Sequence, residues 1–95
     1  MDVVQMYSLN HGRETVQKKQ IPEEAKVLSV CVLHEEVKVA VQQDVNADLQ
    51  RDKTKTIEFA MFKPPLRFHV DDYKFLGTII LDYGNSIYHV FYREV

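Results

Sequence analysis

Apolar and polar residues alternate along most of this chain with the two-residue period of half-buried strands. "EVKVAVQQ" shows the pattern most cleanly, with Val37, Val39 and Val41 on one side and Lys38, Ala40 and Gln42 on the other. "TIEFAMF" gathers Ile57, Phe59 and Met61 on a single side. "AKVLSVCVL" sets Leu28, Val30 and Val32 against Ser29, Cys31 and Leu33. Upstream, "VVQMYSL" (residues 3–9) runs into the turn signal "NHG", where Gly12 can take positive φ. "ETVQKKQI" alternates weakly up to Ile21, and Pro22, which has no N–H to donate, stops that ladder. "PEEA" amounts to one helical turn at most, with proline first and carboxylates early.

The C-terminal stretch "LGTIILDYGNSIYHVFY" (residues 76–92) predicts two strands joined by a tight loop, and both faces of the pair are apolar. With Asp82 to Asn85 as the loop, Ile80 faces Ile87, Thr78 faces His89 and Leu76 faces Phe91. That register puts Leu76, Thr78, Ile80, Ile87, His89 and Phe91 on one side. Phe75, Gly77, Ile79, Leu81, Tyr88, Val90 and Tyr92 fall on the other, where Gly77 leaves room for a neighbouring ring. A one-residue slip would exchange the two sets.

Between these segments, residues 43–55 ("QDVNADLQRDKTK") are polar and lack aromatic residues, which predicts a mobile loop with a helical turn around Ala47 to Gln50. Pro64-Pro65 excludes a central strand and favours an extended edge or loop. About seven short strands at roughly ten-residue spacing, with no long helix and no repeat, predict a single mainly β domain over residues 1–95. The fold class expected is a small β-sandwich or partly open β-barrel.

Composition narrows the chemistry. Twelve Lys+Arg against fourteen Asp+Glu leave a net charge of −2, a poor match for the clustered cations that duplex nucleic acid requires. Arg51, Lys53, Lys55 and Lys63, interrupted by Asp52 and Glu58, read as a solvated loop and strand edge. The single cysteine, Cys31, cannot form an internal disulfide and reads as a buried structural thiol. With no basic leader and no apolar run of membrane-spanning length, a soluble protein of the cytoplasm is expected.

No hydrolase, metalloprotease or phosphate-loop motif is present, and three glycines offer little material for a backbone-built anion site. His69 and Asp71 of "FHVDD" share a strand face, but His11, His34 and His89 lie on separate elements, so no metal site is expected. Glu35 and Glu36 read as solvated turn residues. His89, opposite Thr78, reads as a hydrogen-bonded, mostly buried histidine and not as a general base without partners. Neither a catalytic residue nor a cofactor is expected.

Three phrases carry a resemblance. Pro22, Ala25, Lys26, Leu28 and Val30 match a Pro-x-x-Ala-Lys-x-Leu-x-Val pattern; Tyr73, Gly77 and Thr78 match Tyr-x-x-x-Gly-Thr; His89, Val90 and Phe91 close the chain as His-Val-Phe. Over roughly residues 20–94 this order resembles a family of small bacteriophage proteins. The chain departs from that pattern at "KPPLRFHVDD", where relatives place a Gly-x-Gly-His segment. The resemblance implies a phage accessory protein of all-β character and implies no catalysis.

The functional expectation is a non-catalytic binding module that occupies a host protein in the host cytoplasm, inhibiting a host defence or redirecting host machinery. Phe75, Ile79, Tyr88, Val90 and Tyr92 are the expected partner or self-association surface, with a homodimer as the assembly. Free sheet edges offer strand addition as a second binding mode. The alternative is a binder of a nucleotide signal, using Lys63, Arg67, His69 and Tyr73 to clasp a phosphate and stack a base. A virion or assembly component is a third reading.

Overall fold

Seven segments of alternating or β-branched sequence pair into two antiparallel sheets, as seen in a computed structural model that describes residues 1–11, 16–65 and 72–95. The strands are β1 (Asp2–Leu9), β2 (Val16–Pro22), β3 (Lys26–Leu33), β4 (Glu36–Asp44), β5 (Thr54–Phe62), β6 (Lys74–Leu81) and β7 (Ser86–Glu94). One sheet has the order β1-β4-β3 and the other β2-β5-β7-β6. The sheets stack as a sandwich and do not close into a barrel. No helix among the described residues is long and apolar enough to cross a membrane.

The central strands follow the alternation closely. Val37, Val39 and Val41 of β4 face inward with no exposed surface, opposite Ile57, Phe59 and Met61 of β5, which are equally buried. Burial of this kind is the main source of stability, at about 25 cal/mol per Å² of apolar surface removed from water. Ile21 and Leu9 close the same core from β2 and β1. Ile79, Leu81 and Val90 close it from β6 and β7.

Two β-bulges interrupt the period, and each changes which side chains face inward. In β3 the register shifts between Val27 and Ser29, so Val27, Val30 and Val32 pack on the core while Leu28 turns out to solvent. The expected Leu28 face is therefore corrected, and Cys31 lies exposed on the outer side and not buried. In β6 the register shifts between Phe75 and Gly77. Ile80 faces Ile87 and Thr78 faces His89 as the sequence predicts, but Phe91 pairs with Phe75 and not with Leu76.

Local turns explain the tips. Leu33 pairs with Glu36, leaving His34 and Glu35 as a two-residue hairpin loop with φ of 51° and 62°. This twist suits right-handed strands even without the usual Asn-Gly. The β6–β7 loop is Asp82 to Asn85, and Gly84 takes a φ of 92° there. The two tips are joined across the sheets: Glu35 Oε2 accepts a 2.9 Å hydrogen bond from the Asp82 backbone N–H, so Glu35 is not merely solvated. In the β4–β5 connection, Asp48 caps its own turn by accepting from the Gln50 backbone N–H at 2.9 Å.

Candidate functional site

The inward face of the β6–β7 ribbon belongs to the core of the same chain. Ile79 and Val90, at 4% and 0% exposure, are covered by the three-stranded sheet and have no surface to offer a partner. Tyr88 and Tyr92 are half-buried and pack against that core. Four of the five residues expected to form a docking surface therefore serve packing. The fifth, Phe75, is carried to the opposite face by the bulge and is 59% exposed. The space above Gly77 is filled by Val30 of β3 and not by a ring.

The outer face of that ribbon is the apolar surface left uncovered. Ile80 and Ile87 stand directly opposite each other, 55% and 46% exposed. Phe75 meets Phe91 edge-on at 5.4 Å, and Phe91 in turn meets Phe62 of β5 at 6.5 Å. Between the aliphatic and aromatic rows, Thr78 Oγ1 and His89 Nδ1 are 2.9 Å apart. That hydrogen bond was legible from the register, although His89 is half-buried on the outer face and not enclosed.

A charged cluster bounds the patch on β5 and β7. Glu58, 7% exposed, accepts hydrogen bonds from the Tyr73 hydroxyl and from Arg93 Nε, the latter at 2.8 Å. Arg93 also lies over the Tyr73 ring at 4.5 Å and reaches Asp72 at 3.6 Å. The Tyr73 hydrogen bond foremost, then the Arg93 guanidinium, holds the Glu58 carboxyl below its ordinary range against the opposing effect of desolvation. Desolvation and the Glu58 carboxylate push the Tyr73 phenol up. Sequence reading missed this cluster, since Glu58 alternates outward like any surface carboxylate and its partners are distant in the chain.

The alternative ligand set is not assembled. Lys63 Nζ lies over the Tyr88 ring at 5.5 Å, whereas Tyr73 is committed to Glu58 and Arg93. Those anchor points stand five positions apart on β7, roughly 17 Å at about 3.3 Å per residue. Arg67 and His69, like Gly12 and Asp71, lie outside the described residues. Among the described residues no group of three His, Cys, Asp or Glu side chains converges as a metal site would need.

These features define an all-β sandwich that buries one face of its C-terminal ribbon and leaves apolar side chains on the other. The chain belongs to the family described as "Domain of unknown function (DUF7352)", whose model matches residues 1–95. No curated protein and no solved structure matches it.

Proposed function

We propose that this chain is a non-catalytic binding module that docks through the outer face of the β6–β7 ribbon. One observation carries the reading: Ile80 and Ile87, paired and about half exposed, continue toward Phe75 on one side of the sheet. Apolar rows that flank one hydrogen-bonded Thr78–His89 pair, beside a charged cluster, match the composition of a protein interface with its apolar centre and charged rim. The Glu58–Arg93–Tyr73 cluster supplies that rim. The resemblance of the "YKFLGT" and "HVF" phrases to small phage proteins supports the finer reading of an accessory protein that occupies a host protein in the host cytoplasm. A second copy of the chain is the other occupant this reading admits.

Light scattering on the purified chain, with capture from host lysate, tests this. Wild type should dimerise or retain a defined partner, and Ile80→Asp should abolish that association while keeping the β circular dichroism spectrum. Association that survives Ile80→Asp and Ile87→Asp together would overturn the reading.

A further inference from the structure

At the end of the sandwich where β3, β5 and β6 begin, the sheets leave an open cavity of about 410 Å³ between them. Its floor is apolar: Ala25 and Ile57 are almost wholly buried, and the half-buried Tyr92 lines one wall. This volume falls within the size range of small-molecule sites.

The charges around it are the unusual part. Lys55 continues the inward register of Ile57 and Phe59 and is half-buried, so it occupies a position that an ordinary core would give to an apolar residue. Lys74, paired with inward-facing Tyr92, stands exposed at the mouth. Lys26 and Arg93 add two further cations at the rim, against the carboxylates of Asp72 and Glu94 alone. The lining thus carries four positive and two negative groups in a chain whose net charge is −2. Arg93 is already held by Glu58 and Asp72, and Lys55 meets Glu94 only at 4.0 Å. Among the described residues Lys26 and Lys74 meet no carboxylate within ion-pair distance.

The backbone supports this opening independently. The extra residue of each bulge, Leu28 in β3 and Leu76 in β6, lies two positions beyond a cavity lysine, Lys26 and Lys74 respectively. Bulges bend and twist a strand and re-aim the side chains beside them, which is why they accompany binding sites. Here two of the strands that border the cavity, β3 and β6, each carry one at its mouth.

We propose that this cavity binds a small phosphorylated molecule with a planar body, of the mononucleotide class. The phosphate sits between Lys26 and Lys74, with Lys55 strengthening the field. Lysines act as compact point charges and suit a phosphate approached from several directions. The planar portion lies against Tyr92 and the apolar floor. This site faces the interior end of the sandwich and meets the outer-face docking surface only at Arg93 and Asp72, while its phosphate-binding lysines and Tyr92 lie outside the Ile80–Ile87 patch.

Isothermal titration and amide chemical-shift mapping with adenosine 5′-monophosphate, adenosine and inorganic phosphate test the proposal on the full chain. The nucleotide should bind at least tenfold more tightly than adenosine or phosphate and should shift the amides of Lys26, Lys74 and Tyr92. Lys26→Ala with Lys74→Ala should weaken it tenfold or more, and added salt should weaken it further. Tyr92→Leu, checked for folding by thermal melting, should remove the advantage over inorganic phosphate. The proposal is overturned by no binding at millimolar nucleotide, by phosphate binding as tightly as the nucleotide, or by affinity indifferent to the lysine pair.

Discussion

A Cβ placed on Gly77 would stand 3.0 Å from Cγ1 of Val30, so the glycine is the point where β6 is allowed to approach β3 across the open side of the sandwich. Gly77→Ala sets two effects against each other. Overpacking costs about 1–3 kcal/mol, while lost freedom in the unfolded chain returns about 0.4–1 kcal/mol. A net destabilisation of about 1 kcal/mol is expected by urea unfolding, and Val30→Ala should relieve it in the double mutant. Additive losses would show that the two residues do not press on each other.

Neighbouring isoleucines should behave oppositely. Ile79 is 4% exposed and Ile80 is 55% exposed. Ile79→Ala should cost about 2–5 kcal/mol of stability, and Ile80→Ala should change it by no more than about 0.5 kcal/mol. For the same reason Tyr88→Asp should loosen the fold, since Tyr88 packs on the core, and it is the wrong probe for docking. Thermal melts of the three variants check the assignment of faces.

Acid stability should report on Glu58. Its carboxyl is held below the ordinary value of 4.5, first by the Tyr73 hydroxyl. The stabilisation is therefore fully present above about pH 4.5 and fades as pH falls through the lower folded-state value. Tyr73→Phe removes the largest cause, so the acid unfolding midpoint should move up toward that ordinary value, with little change in the acid limb from a control such as Tyr83→Phe. An unmoved midpoint would show that the hydrogen bond contributes no such linkage.

Gln17 should matter more than its polarity suggests. Its side-chain amide accepts from the Asn10 backbone N–H at 2.8 Å and donates to the Asn10 carbonyl at 2.7 Å, repeating a ladder rung between the end of β1 and the start of β2. At 9% exposure it has little access to water as a substitute. Gln17→Ala should cost about 1–3 kcal/mol, with faster amide exchange at Asn10 as the local sign.

Much of the fold was legible because β4 and β5 keep an unbroken two-residue period, and Val37 to Val41 and Ile57 to Met61 need only that to be placed. The hairpin register was legible too, up to the bulge. Beyond it, one added residue moved Phe75 out and Leu76 in, while the rest of the expected surface was lost because the three-stranded sheet covers the face that holds Ile79, Tyr88, Val90 and Tyr92. A signal was present: an isolated glycine inside a strand marks bulges and close approaches, and Gly77 marks both here. The charged features were hidden for a different reason. Glu58 and Arg93 meet across 35 positions of sequence, and Lys26 and Lys74 are brought to one cavity only by the stacking of two sheets. Lys55, read as a solvated loop residue, is the exception, since extending the Ile57 and Phe59 alternation by one step places it inward.

The strand order carries a consequence for biosynthesis. β1 finds its ladder partner in β4, with Leu9 opposite Val37 and Asp2 opposite Asp44. A nascent chain emerging from the ribosome must therefore hold Val3, Val4 and Met6 unpaired until the fourth strand has cleared the exit tunnel. Through that interval β1 is an unpaired edge that can template another polypeptide, a stage set by its pairing with a strand made later in the chain.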